Sequence, residues 1–183
     1  KKIKKDSILE IEKDINRLEL IADRFSKMGA SPKLKNENLI DLISMTVEYL
    51  RKRSGNKVIW NWNPPKKSLS IPMNSTLISW TIENIVKNGI DSIKGEGEIK
   101  IELINLKTLI RILISDNGVG IPENVINKIF NPGYTTKKGG WGIGLSLVER
   151  IIVNFHGGKV MIKETKVGKG TTFEISLNKK LNS

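Results

Sequence analysis

Between Glu83 and Phe173, five short stretches interrupt the apolar runs with asparagine, aspartate and glycine. They are Glu83-Asn84-Ile85-Val86-Lys87-Asn88, Asp116-Asn117-Gly118-Val119-Gly120, Ile129-Phe130-Asn131-Pro132, Gly140-Trp141-Gly142-Ile143-Gly144-Leu145 and Gly168-Lys169-Gly170-Thr171-Thr172-Phe173. Each alone is weak, because Asp-Gly and glycine-rich turns are common. As an ordered set they demand a fold that gathers them around one pocket while the apolar runs between them pack elsewhere.

A chain of 183 residues holds one well-buried domain plus an appendage. With no cysteine and a single histidine, His156, it has neither a disulfide framework nor a histidine metal cluster of its own. No apolar run approaches the roughly 18 residues that span a bilayer, and the absence of thiols fits a cytoplasmic setting. A first residue that is lysine reads as a piece of something longer, with any membrane sensor upstream. The net charge of +12 is scattered in short clusters such as Arg51-Lys52-Arg53 and Lys66-Lys67. No aromatics interleave them as a stacking platform requires, so no nucleic-acid partner is expected.

Ile8, Ile11, Ile15, Leu18, Ala22 and Phe25 recur at steps of three and four, the seam of a bundle helix that Gly29 and Pro32 end. Residues 36–53 read as a second helix, 57–62 as a strand closed by Pro64-Pro65, and 74–93 as a helix with Ile78, Ile82, Ile85 and Gly89 on its apolar face. At about 100° per residue, Asn84, Asn88 and Asp91 fall within about 60° of one another on the opposite face. Two β-rich runs, 98–104 and 109–115, read as an antiparallel hairpin with Asp116 at its end. Residues 145–155 look helical, and 159–163 and 171–177 look like two further strands. The fold class is therefore an α/β (α+β) two-layer sandwich, a mixed sheet against helices, preceded by one long bundle helix.

The chemistry follows from residue type. A carboxylate at a strand end beside Gly118 and Gly120 can accept a hydrogen bond from an exocyclic amine while the glycines admit a flat ring. Asn88, with Asn84 one turn earlier, offers amide oxygen to a hard cation that keeps most of its waters. Gly140, Gly142 and Gly144 lead into a helix near Leu145, where backbone N–H groups can face an anion. The stretch 131–141 reads as a lid, and its Lys137 can reach a phosphate.

Taken in order, these stretches resemble the N, G1, F, G2 and G3 boxes of the ATP-binding domain of sensor histidine kinases, in the GHKL superfamily shared with DNA gyrase, the Hsp90 chaperones and the MutL proteins. The resemblance covers roughly residues 30–178. It implies a Bergerat fold over 30–183, with 1–29 as the trailing helix of a dimerisation and histidine-phosphotransfer domain whose first helix is missing. It implies ATP and Mg²⁺ as cofactors. Asp116, supported by Thr171, would hold the adenine amine; Asn88 would hold the Mg²⁺ on the phosphates; Asn84, Lys87, Asp91, Gly118, Gly120, Ile121, Lys137, Gly140, Gly142, Ile143, Gly144 and Leu145 would complete the ATP site.

The partners implied are a histidine-bearing helix that receives the γ-phosphoryl group, a response-regulator receiver domain, and a second copy in a full-length homodimer. In hydrolysing relatives a glutamate stands one turn before the metal asparagine; here that residue is Asn84, and Glu83 points about 100° away. The rival readings are a GHKL serine kinase or ATPase, and a degenerate domain that binds nucleotide without catalysis. Gly89 stands where the family usually has alanine, which implies closer packing. His156, in a His-Gly-Gly common to the family, is expected to be structural and not the phosphoacceptor.

Overall fold

The structure, a computed structural model, describes residues 32–137 and 139–180. The chain divides into two units, Lys1–Lys33 and Leu34–Ser183, and the described residues belong almost wholly to the second. The seam helix expected before Gly29, and the boundary after it, lie outside them.

Strand β1 (Lys35–Asn38) runs straight into helix α1 (Leu39–Ser54). Asn38 makes the transition: its side chain accepts the Ile40 N–H at 3.1 Å, and its amide reaches Asp41 at 2.6 Å. The helix expected from residue 36 thus starts three residues later. Lys35 to Asn38 pair antiparallel with β3 (Ser70–Met73) in a two-stranded sheet that local pattern did not announce. Arg51, Lys52 and Arg53 close α1, where cations complement the helix dipole.

Strand β2 (Val58–Trp62) precedes β3. Helix α2 (Ser75–Ser92) follows it, capped by Asn74, whose side chain accepts the Leu77 N–H at 3.1 Å. Strands β4 (Gly97–Asn105) and β5 (Leu109–Asp116) form the expected hairpin, and Asp116 is the last residue of β5. After a long connection comes helix α3 (Gly144–Glu149), which continues as a π-helical turn over Arg150–Phe155. The helix expected over 145–155 is therefore α-helical only in its first half. Strands β6 (Lys159–Lys166) and β7 (Gly170–Asn178) end the fold, β6 running three residues further than the sequence pattern indicates.

The main sheet has the order β2-β4-β5-β7-β6, with β2 parallel to β4 and the other pairs antiparallel. Ile99 and Ile101, then Ile110, Ile112 and Ile114, then Phe173, Ile175 and Leu177, alternate along neighbouring strands and are all buried. Against them lie Ile43 and Val47 of α1, Ile78, Ile82 and Ile85 of α2, and Ile151 and Ile152. This is the expected two-layer sandwich. Because α2 packs on β4 and β5, its polar face turns away from the sheet, toward the connection between β5 and α3. None of the helices among the described residues is long and apolar enough to cross a membrane.

Candidate functional site

Asp116 ends β5 and is half-buried. Its Oδ1 accepts the Gly118 N–H at 2.9 Å and faces the Ser92 hydroxyl at 3.0 Å. Burial pushes its carboxyl above the usual carboxylate range, opposed by the Gly118 N–H, the Ser92 hydroxyl and the Thr171 backbone. The glycines around it are sterically required. A Cβ on Gly118 would collide with Ser92 Oγ, one on Gly170 with the Asp116 carbonyl, and one on Gly120 (φ +72) with the Lys166 carbonyl. At Gly89 a Cβ would stand 2.9 Å from Ile99 Cδ1 and 3.0 Å from Asp116 Cβ. Glycine there lets α2 and β5 approach more closely than alanine would.

Thr171 is buried and lies opposite Asp116 in the β5–β7 ladder. Its hydroxyl meets that of Thr165 at 3.0 Å, and Thr165 Oγ1 in turn accepts the Ile121 N–H at 2.8 Å. Three segments thus converge on one hydroxyl pair: the turn after β5, the end of β6 and the start of β7. Thr165 and Ser92 escaped the sequence reading. Ser92 carried a signal nonetheless, since it continues the i, i+4 spacing of Asn84 and Asn88.

The second group is on the outer face of α2. Lys137 Nζ, from the connection between β5 and α3, lies 2.9 Å from Asn88 Oδ1 and 2.7 Å from Asp91 Oδ2. Asn84 donates its amide to the Trp80 carbonyl at 2.9 Å, and the position of a Cβ on Gly144 is 3.0 Å from Asn84 Oδ1. The first turn of α3 therefore abuts α2 where only glycine fits comfortably. Lys87 instead pairs with Glu83 one turn earlier, at 3.4 Å. The connection itself is pinned at its base. Gly133 N–H donates to the Gly142 carbonyl at 3.0 Å, Gly140 N–H to the Lys137 carbonyl at 3.0 Å, and Gly142 takes φ +66. Ile143 precedes α3 without a side-chain cap, while Leu145 is half-buried and Trp141 is exposed. Phe130 anchors the connection edge-on against Phe173, ring centroids 6.5 Å apart.

His156 stands apart from both groups. It is buried, with Nδ1 2.8 Å from the Ile151 carbonyl and Nε2 accepting the Asn74 N–H at 3.1 Å. Because Nε2 accepts, the proton is on Nδ1. Burial holds the ring below the ordinary histidine range. The ring thereby ties the end of the π turn to the cap of α2.

Residues 73–181 match the family described as histidine kinase-, DNA gyrase B-, and HSP90-like ATPase. The chain belongs to this family. Within it, the chain is an ATP-binding catalytic domain of the histidine kinase type. It is 28% identical over 181 residues to the nitrogen regulation protein NtrY of Azorhizobium caulinodans, covering 94% of this chain and 23% of that protein. To sporulation kinase A of Bacillus subtilis it is 30% identical over 174 residues, covering 91% of this chain and 28% of the relative. It therefore spans about a quarter of the length of these curated relatives.

Among solved structures, the nucleotide-free catalytic domain of histidine kinase ThkA superposes with a TM-score of 0.74 at 29% identity, covering 81% of this chain and 99% of that one. ThkA in complex with the response regulator protein TrrA superposes with a TM-score of 0.76 at 26% identity, covering 96% of this chain and 51% of that one. The agreement with a catalytic domain over nearly its whole length bears out both the fold class and the family read from the five stretches.

Proposed function

We propose that this domain binds Mg-ATP and, within a longer protein, transfers the γ-phosphoryl group to a histidine outside this chain. The observation that carries the proposal is that one helix joins two unlike groups: Ser92 and Gly89 of α2 meet Asp116, while Asn88 and Asp91 of α2 meet Lys137. A half-buried carboxylate at the end of β5 suits an amine-bearing base, and an oxygen-rich face on α2 suits a cation and phosphates. Asp116 would accept from the adenine amine while Gly118 and Gly120 admit the ring. The Thr171–Thr165 pair would support the turn that carries Ile121.

Asn88 and Asp91 fit a cation, since the Lys137 ammonium is held between their oxygens. Asn88 would hold Mg²⁺, with Asn84 and Lys87 near the phosphates. Mg²⁺, when bound, supplies charge neutralisation between the phosphates. Lys137 would move from the Asn88–Asp91 face onto a phosphate oxygen as the connection closes. The backbone from Gly140 through Ile143 to Leu145, at the start of α3, would flank the phosphates.

The reaction class rests on Asn84. It, not a carboxylate, stands one turn before Asn88, and Glu83 pairs with Lys87 at 3.4 Å. A water molecule there would lack the glutamate that activates it in hydrolysing relatives, whereas phosphoryl transfer to an imidazole needs positioning and charge neutralisation. In that step the bond from the γ-phosphorus to the bridging oxygen breaks, a phosphorus–nitrogen bond forms, and ADP leaves. A receiver domain would take the phosphoryl group onward, in a homodimeric protein whose catalytic part lies in the cytoplasm. The test is to mix this chain with a separate histidine-bearing helical hairpin and radiolabelled ATP. Acid-labile, alkali-stable phosphate on the hairpin supports the proposal; free phosphate release without labelled hairpin contradicts it.

A further inference from the structure

The Ser92 hydroxyl belongs to none of the five stretches' expected ligand roles, yet it bonds directly to Asp116. Its Oγ is 3.0 Å from Asp116 Oδ1 and 2.8 Å from the Gly89 carbonyl. Its backbone carbonyl accepts the Val119 N–H at 3.1 Å. Gly118 packs so closely on it that any side chain there would strike Oγ. Ser92 thus clips the end of α2 to the turn after β5 from both its backbone and its side chain.

A hydroxyl has one proton and here two acceptors. When Asp116 is ionised it can only accept, and the charge-assisted bond takes the Ser92 proton. When Asp116 is protonated, its O–H donates to Ser92 Oγ and the serine proton turns to the Gly89 carbonyl. In the ionised arrangement Oδ1 is held by Ser92 and Gly118 together, and Oδ2 lies on the Gly89 side. A Cβ at Gly89 would stand 3.4 Å from Oδ2, so the absent side chain leaves that flank uncrowded.

We propose that Ser92 is a positioning residue for base selection: by holding Oδ1 of an ionised Asp116, it presents the carboxylate as a pure acceptor, which admits a purine with an exocyclic amine and rejects a 6-oxo purine. This rests on the nucleotide reading above. Without the hydroxyl, Asp116 loses one of the groups that favour its charge, and its acid form can donate to a 6-oxo group.

The experiment measures binding of ATP and inosine triphosphate by the unmodified chain, by Ser92→Ala and by the near-isosteric Ser92→Cys, across pH, with thermal unfolding as a check of the fold. ATP affinity in Ser92→Ala should fall about tenfold, the loss of one hydrogen bond to a charged group. The preference for ATP over inosine triphosphate should shrink, and the pH below which ATP binding fails should move upward. Ser92→Thr, which keeps the hydroxyl, should restore both; if Ser92→Ala does not fold, Ser92→Cys must show the same loss. A variant that is less stable but keeps the full preference and pH profile reduces Ser92 to a helix-end cap and overturns the proposal. An unmodified chain that binds neither nucleotide overturns the nucleotide reading as well, so the two failures are distinct.

Discussion

Lys137 and Asp91, 46 positions apart in sequence, hold each other at 2.7 Å and so join α2 to the connection that leads to α3. Both side chains are about half exposed, at 45% and 55%. A pair that exposed is worth about 0–1 kcal/mol, so it closes the connection loosely and can be exchanged for a phosphate at little cost. Lys137→Ala should therefore leave the unfolding temperature nearly unchanged. It should weaken Mg-ATP roughly tenfold or more, as expected for one charge-assisted bond, and leave AMP almost unaffected. Calorimetric titration of both nucleotides checks this; equal losses for the two would remove Lys137 from the phosphates.

Asn88 is the other oxygen on that lysine, at 2.9 Å. If the same oxygen serves Mg²⁺, Asn88→Ala should weaken ATP in the presence of Mg²⁺ by roughly tenfold or more, and should weaken ATP in excess chelator far less. Titration with and without the metal separates the two cases. Equal losses would assign Asn88 to the nucleotide alone.

Asp116 has a folded-state pKa raised above its unfolded value, chiefly by burial. The fold therefore favours the protonated acid. That contribution is fully present below the unfolded pKa and is lost as pH rises through the folded pKa, so the carboxylate near neutrality costs stability. Asp116→Asn keeps an acceptor for the Gly118 N–H and removes the charge. It should unfold at a higher temperature than the unmodified chain at pH 7, with the difference vanishing in acid, while failing to bind ATP. A lower unfolding temperature at pH 7 would contradict the burial argument.

His156 has the opposite displacement, its folded pKa lying below the unfolded value because of burial. As pH falls through about 6.5 the unfolded chain takes up a proton first. Stability should accordingly decline from there toward the folded pKa. His156→Ala should abolish that slope and, by leaving the Asn74 N–H and Ile151 carbonyl unpaired, cost roughly 2–4 kcal/mol. Denaturant unfolding at several pH values measures both effects. A variant with unaltered stability would show that the ring's two bonds are dispensable.

What the sequence disclosed was what local chemistry determines. The helix read over 74–93, found at Ser75–Ser92, and its Ile78-Ile82-Ile85 stripe follow from periodicity, and Asp116 falls at the end of β5 as its hairpin pattern requires. The β1–β3 sheet was not legible, because Lys35-Asn36-Glu37-Asn38 has no apolar alternation and its partner is more than thirty residues away. Nor was the π turn at Arg150–Phe155, whose residues fit an α-helix equally well. The Lys137–Asp91 pair and the Ser92–Asp116 clip join distant segments through single side chains, a relation that spacing along one helix does not encode.

The central claim is that Asp116 anchors a purine nucleotide, and the most direct test is calorimetric titration of Mg-ATP into this chain beside its Asp116→Ala variant. Micromolar-range binding by the unmodified chain and no measurable binding by the variant are expected, with the far-ultraviolet circular dichroism of the two superimposable. Retained affinity in a folded Asp116→Ala variant, or no binding by the unmodified chain, would contradict it.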